Sequence, residues 1–312
     1  MCGVVGLLLR DPTLEPSLGS ILVPMIGALA ERGPDSSGIA LYADGGLNAD
    51  GAEGGGAEMM VPETDTVRVS LGSDFGVDWD GLGADLNFGE PVRIDRFGGG
   101  IVIQLPEGLQ NQLLDWLGDR WPDVRVLGVG RNLSVLKDTG WPTDTCARYG
   151  IERWEGYLAL AHTRMATESA VTVLHSHPFV PMRDLCVVHN GSFSNHATVR
   201  RRLQAEGVAF QSDNDSEVAA RYLASRLESG DDLAEATGWV MKEMDGFFTL
   251  VIASATGMSV VRDAFAGKPA VVAETEGYVA VASEYRALAE LPDIGSARIF
   301  EPQPEEVYTW SR

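Results

Sequence analysis

The sequence predicts an α+β fold of layered sheets covered by helices. Short apolar or alternating runs crowd both ends of the chain. They are residues 3–9 and 39–42 near the start, and YLALAHTRMAT, LCVVHNGSF, FFTLVIASATG, SVVRDAF, AVVAET and YVAVAS from position 157 onward. Helical spacing interrupts the later runs near 196–206, 214–228 and 233–244. At 312 residues and 45% hydrophobic content, the chain can bury a sizeable core.

The elements follow in order. GVVGLLL (3–9) reads as a buried strand. Leu18, Ile21, Leu22, Met25, Ile26 and Leu29 recur at helical spacing, so 17–31 is expected to be a helix. RGPDSSG (32–38) carries turn residues, and IALY (39–42) is the next strand. GGLNADGAEGGGAE then breaks the pattern with a Gly-rich acidic stretch. A strand over 98–105, an amphipathic helix over 111–121 and a strand over 124–130 follow. Positions 44–150 are therefore expected to be an insertion holding a small α/β element, within one domain spanning 1–312. The apolar and tryptophan side chains of IVIQLPEG and NQLLDWLGDRW suit a subunit interface.

Composition excludes several classes. A formal net charge of −21 argues against nucleic acid and against anionic membrane surfaces. No apolar run reaches the roughly 18 residues of a membrane span. The start lacks a basic region and a small-residue cleavage site, so no signal peptide is expected. Cysteines at 2, 146 and 186 form no disulfide framework, which points to a cytoplasmic chain with reduced thiols.

Polar chemistry is concentrated in a few places. All five histidines (162, 175, 177, 189 and 196) lie within 35 residues. His175 and His177 resemble a metal-ligand pair, but no helical His pair, CxxC or carboxylate cluster completes one, and no metal is expected. Cys2 is a candidate nucleophile, with either a histidine brought near by the fold or its own α-amine as base. That amine, exposed by removal of Met1, has a reference pKa of about 7.7–8.0 and can take the thiol proton near neutral pH. Asn190 and Gly191 offer a side-chain amide and an approachable backbone N–H for an oxyanion. Asn-Gly between apolar segments is equally a hairpin-turn signal. Arg164 can grip a carboxylate in a bidentate fork, and Asp215 can take an ammonium while opening a helix.

Taken in order, MCGVVG, RGPDSSG, HTRMAT, HPF, VVHNGSFSN, SDNDSE and ASEYRAL resemble the class II glutamine amidotransferases over roughly residues 2–43 and 156–290. The resemblance implies a four-layer αββα sandwich of the N-terminal-nucleophile hydrolases. It implies Cys2 as nucleophile with its own amine as base, and Arg32 beside the site. Arg164 and Thr167 would bind the α-carboxylate of L-glutamine, Asp215 its α-amine, and Asn190 and Gly191 the oxyanion. His162 would support the site. Glu168 stands where some relatives carry His, and is expected to point away from the substrate.

No pyrophosphate-binding SGGxDS motif or phosphoribosyl-binding motif is present. The long insertion before HTRMATESAV, its ending VLKDTGWPTDTCARYGIE, and the run HNGSFSNHATVRRRL resemble the stand-alone amidotransferase subunits of split glutamate-synthase-like enzymes, including N-methylglutamate synthase. That resemblance implies an ammonia-donating subunit of a cytoplasmic hetero-oligomer. The alternative is an amidotransferase-like scaffold in an N-methylglutamate synthase without glutaminase turnover. No cofactor is expected in this chain. A flavin and an iron–sulfur cluster are expected on synthase-like partner subunits, because three cysteines are too few for a cluster.

Overall fold

The computed structural model describes residues 2–45, 65–166 and 170–312. The chain opens with β1 (Gly3–Leu9), α1 (Leu18–Ala28) and β2 (Ser36–Tyr42). A second group follows: β3 (Thr66–Gly72), α2 (Trp79–Asp85), β4 (Arg93–Phe97), β5 (Gly100–Pro106), α3 (Gln110–Arg120) and β6 (Arg125–Gly130). Then come β7 (Leu133–Thr139), α4 (Pro142–Arg148), β8 (Leu158–Arg164), β9 (Phe179–Met182) and β10 (Leu185–Phe193). Helices α5 (His196–Ala205), α6 (Asp215–Glu228) and α7 (Leu233–Glu243) lead to the last strands. These are β11 (Gly246–Ser254), β12 (Gly257–Arg262), β13 (Val271–Glu274), β14 (Tyr278–Ala282), β15 (Arg298–Phe300) and β16 (Tyr308–Ser311).

Two sheets stack face to face. One has seven strands in the order β15-β13-β14-β1-β8-β2-β7, and the other five in the order β16-β12-β11-β10-β9. The period-2 rule explains the continuous apolar run of β1, whose faces are both covered. Val5, Leu7 and Leu9 pack against Leu18, Leu22, Met25 and Ile26 of α1. Val4 and Leu8 face the second sheet, where Cys186, Val188, Val251 and Val260 meet them. The far face of that sheet buries Val187, Phe193, Leu250 and Ile252 under α5, α6 and α7. The layers are therefore helix, sheet, sheet, helix.

The span 44–150 is of two kinds. Strands β3 to β6 form their own four-stranded sheet in the order β4-β5-β3-β6. It has a separate core of Val67, Val69, Leu71, Ile101, Ile103 and Leu105 under Leu113 and Leu117 of α3. From IVIQLPEG and NQLLDWLGDRW, Ile101, Ile103, Leu105, Leu113 and Leu117 are buried in this core, Val102 faces the α1 core, and Leu114, Trp116 and Trp121 are half-buried. Strand β7 and α4 lie in the same span of sequence, yet β7 pairs along the whole of β2 and α4 packs on α1. The Gly-rich stretch 46–58 lies outside the described residues.

Two local expectations change. The helix expected over 17–31 ends at Ala28, and its tail is a 3-10 turn at Ala30–Arg32 that carries Arg32 to the start of β1. Asn190 and Gly191 do not form a hairpin turn. They lie inside β10, opposite Thr249 and Phe248 of β11. Gly191 has φ +149°, and a Cβ there would fall 2.0 Å from the Phe247 carbonyl oxygen. Glycine is needed here for close strand approach, not for chain reversal.

Candidate active site

Cys2 is the residue before β1, so the register of the seven-stranded sheet sets its place. Gly3 pairs with Thr163 of β8, and Val4 hydrogen-bonds Ser283. The Cys2 thiol is partly exposed, and its Sγ lies 3.8 Å from the Met165 carbonyl oxygen. Two side chains donate to the Cys2 carbonyl oxygen: Arg32 Nε at 3.0 Å and Asn190 Nδ2 at 3.3 Å. Arg32 in turn pairs with Glu284 of the ASEYRAL motif, which also holds Arg286 at 2.5 Å. Burial opposes ionisation of Glu284, but the Arg32 hydrogen bond and charge overcome it and hold its carboxyl below the usual range.

The RGPDSSG loop is pinned to the end of β8. Asp35 N–H donates to the Arg164 carbonyl oxygen at 3.0 Å, and the Asp35 carboxylate accepts from Ala166 N–H at 2.8 Å. Arg164 itself is 5% exposed and donates to the Ala170 carbonyl oxygen at 2.8 Å. Burial lowers its pKa.

Asp215 opens α6 and faces back to β10. Its Oδ2 accepts from Phe193 N–H at 2.9 Å and its Oδ1 from Ser216 Oγ at 3.1 Å. Asn214 caps the helix by accepting from Ser216 N–H at 2.9 Å. The cap and the charge are thus supplied by adjacent residues.

These elements enclose a cleft of about 320 Å³ lined by Cys2, Arg164, Gly191 and Asp215, together with Met165, His177, His189, Ser192, His196, Asp213, Asn214 and Ser216. Arg32 and Asn190 reach it through the Cys2 carbonyl. Of the residues expected at the site, Thr167 lies outside the described residues, as does Glu168. Among the described residues no group of His, Cys, Asp and Glu could hold a metal ion. Sequence reasoning singled out neither Asp213 nor Ser216, although both stand in SDNDSE beside Asp215. Nor did it foresee that His162, His177 and His189 would gather beneath the cleft, since only the sheet stacking brings them together. His175 is drawn off by Asp213, 2.7 Å from its Nε2, and by Thr172. That hydrogen bond lowers the Asp213 pKa.

The layered fold and a cysteine at its N-terminal edge define a class. A model of the glutamine amidotransferase domain matches residues 149–302. The chain is 43% identical over 311 residues to the glutamine amidotransferase-like protein GlxB of Rhizobium meliloti (strain 1021), covering 99% of this chain and 98% of that one. It belongs to the class II glutamine amidotransferases. Glutamine–fructose-6-phosphate aminotransferase of Pseudomonas syringae pv. tomato (strain ATCC BAA-871 / DC3000) is 33% identical over 160 residues, which are 50% of this chain and 26% of that one. Among solved structures, glutamine phosphoribosylpyrophosphate amidotransferase from B. subtilis superposes with a TM-score of 0.60 at 17% identity, over 100% of this chain. That likeness is one of fold, and this chain spans 49% of its length.

Proposed function

We propose that this chain hydrolyses L-glutamine at Cys2 and donates the ammonia to a partner. The observation that carries the reading is the cleft in which Cys2, Arg164, Gly191 and Asp215 meet. In this reading Met1 is removed and the freed α-amine of Cys2 takes the thiol proton. The thiolate attacks the glutamine side-chain carbonyl carbon. The Gly191 N–H and the Asn190 amide stabilise the oxyanion. The carbon–nitrogen bond breaks, the leaving nitrogen takes the proton held by the amine, and a thioester remains. Water then attacks the thioester, gives its proton to the amine, and expels the thiolate as glutamate forms. Arg164, with Thr167, holds the substrate α-carboxylate, and Asp215 its ammonium. Arg32 fixes the Cys2 backbone from the side.

The acceptor side of the reading is a multi-subunit glutamate-synthase-like complex, of which N-methylglutamate synthase is one form. Flavin and iron–sulfur chemistry would reside on the partner subunits. In support, Cys146 packs in the helix-facing core and Cys186 between the sheets, so the cysteines do not converge on a cluster. Among the described residues no helix is long and apolar enough to cross a membrane.

The test is an assay of ammonia and glutamate release from glutamine, with intact mass measured on the same protein. Turnover with Met1 absent supports the mechanism, and full turnover from chains that all retain Met1 overturns it. Subunits that co-purify with the native protein, assayed with 2-oxoglutarate and separately with glutamate plus methylamine, identify the acceptor.

A further inference from the structure

Beneath the cleft lie three buried imidazoles. His162 and His177 stack with ring centroids 4.0 Å apart, and His189 lies 6.2 Å from His177. All are at most 5% exposed, and His177 and His189 line the cleft with Cys2. Among the described residues, His162 Nδ1, both ring nitrogens of His177, and His189 Nε2 have no hydrogen-bond partner. A buried polar atom left unpaired costs about 1–3 kcal/mol, so the unpaired nitrogens of His177 and His189 on the cleft lining point to a ligand.

The hydrogen bonds fix what that ligand must offer. His162 Nε2 faces the His189 carbonyl oxygen at 3.0 Å, so Nε2 carries the proton and Nδ1 is a bare acceptor. Ser216 Oγ donates to Asp215 at 3.1 Å, so its lone pair receives His189 Nδ1–H at 2.7 Å. His189 Nε2 is then a second bare acceptor. A neutral His177 adds one acceptor and one donor. The cluster is rich in acceptors and poor in donors, and its complement is a small neutral molecule with several N–H or O–H bonds.

We propose that His177 and His189, with His162 stacked behind His177, form a subsite at the floor of the cleft for a small neutral hydrogen-bond donor, either the ammonia released from glutamine or the water that replaces it. The proposal rests on the glutaminase reading above. Ammonia carries three N–H bonds and one lone pair, and water two of each, so either one fits. Burial supports the assignment by keeping the rings uncharged. His162 is lowered to about 3, and His177 and His189 are also held below the usual range, with Lys137 and Arg164 adding to the effect at His177 and Asp215 opposing it at His189. Neutral rings do not trap ammonia as unreactive ammonium. His177 is a positioning residue here, and its ring orients the small molecule for its next step.

His177→Phe keeps the ring volume and removes both nitrogens. If the subsite holds water, the variant keeps kcat/KM, accumulates the thioester by intact mass, and loses kcat by about tenfold, the worth of a hydrogen bond or two. If it holds ammonia, no thioester accumulates and inhibition by ammonia added at alkaline pH weakens by a similar factor. The proposal is overturned if kcat, thioester level and ammonia inhibition all match the parent. It is also overturned if kcat/KM falls in step with the thermal midpoint, as a purely structural role would require. A second measurement does not depend on that variant folding. In 15N-histidine-labelled Cys2→Ala protein, the three rings should stay neutral between pH 8 and 9, and added ammonia should shift the bare nitrogens of His177 and His189 by filling the subsite or displacing its water. Rings that titrate, or signals indifferent to ammonia, overturn the proposal. A parent enzyme that releases no ammonia from glutamine would instead remove the glutaminase reading while the ring response persisted.

Discussion

Cys2, Arg164 and Asp215 are separated widely in sequence and share one cleft, so each has its own test. Cys2→Ala should abolish ammonia release with an unchanged circular dichroism spectrum, while Cys146→Ala and Cys186→Ala retain turnover. Burial pushes the thiols of Cys146 and Cys186 up to about 12, which leaves them unreactive near neutral pH. Asp215→Asn is a sharper probe than alanine, because an amide oxygen can still accept from Phe193 N–H while the charge is lost. It and Arg164→Ala should each raise the KM for glutamine by about one to two decades, the worth of a charge-assisted contact of roughly 1.5–3 kcal/mol. An unchanged KM in either variant would show that substrate recognition lies elsewhere. Lys137 gives a pH test. It is 5% exposed, its ammonium sits 5.1 Å from the Phe179 ring centroid, and burial lowers its pKa from 10.5 to about 7, with Glu217 and Cys186 opposing the shift. Between those values the unfolded chain binds more protons than the folded one, so this residue makes stability rise with pH there, with the full penalty present below the window. Lys137→Met should flatten that rise and raise the urea midpoint below pH 7.

At the scale of elements, one carboxylate gathers several donors at the junction between the inserted sheet and the hydrolase layers. Asp184, at φ +54° in the turn between β9 and β10, takes the backbone N–H groups of Arg131, Asn132 and Leu133 at 2.9, 3.0 and 3.1 Å. Arg131 and Asn132 form the turn between β6 and β7 and Leu133 opens β7, so this carboxylate helps fix where the insertion rejoins the main sheet. Asp184→Ala orphans those donors and should lower unfolding stability by roughly 1–3 kcal/mol, read from the urea midpoint. Glutamine KM should stay unchanged, because Asp184 lies at the opposite end of β10 from the cleft. A lower stability with altered KM would mean that the junction also shapes the site.

For the whole molecule, Tyr42 at the end of β2 and Leu133 at the start of β7 face each other directly. The two strands would form a plain hairpin if the intervening chain were absent. Replacing 45–131 by a short turn should therefore leave a folded hydrolase with its cleft intact. The cost is the packing of Phe97 and Val102 in the α1 core and of Leu127 in the core between the sheets, at roughly 1.5–3 kcal/mol for each fully buried side chain. Far-UV circular dichroism, the thermal midpoint and glutaminase activity check it. An insoluble product would show that the inserted sheet is part of the folding unit. Large exposed aromatic side chains occur both in this span, at Phe75, and near the Ser192 side of the cleft, where Phe247 and Phe265 pack 5.4 Å apart at 54% and 76% exposure.

What the sequence determined by itself is what local pattern determines. Runs such as GVVGLLL, short and apolar at every position, read as strands covered on both faces, and two such sheets need helices outside them. Asp215 stood ahead of a helical pattern, and the ordered motifs placed Cys2 and Arg164 in one family. The tertiary structure decided what depends on partners distant in the chain. Asn190 and Gly191 read locally as a turn, and only pairing with β11 makes them mid-strand. The 44–150 span looked like one insertion, and only the pairing of β7 with β2 divides it. The histidines were visible as a cluster in sequence, but which of them meet, and with which nitrogens unpaired, follows from two sheets stacking at the end of β8 and β10. Side-chain period and turn chemistry act over a few residues, whereas register and layer packing are set by contacts between segments that no local pattern encodes.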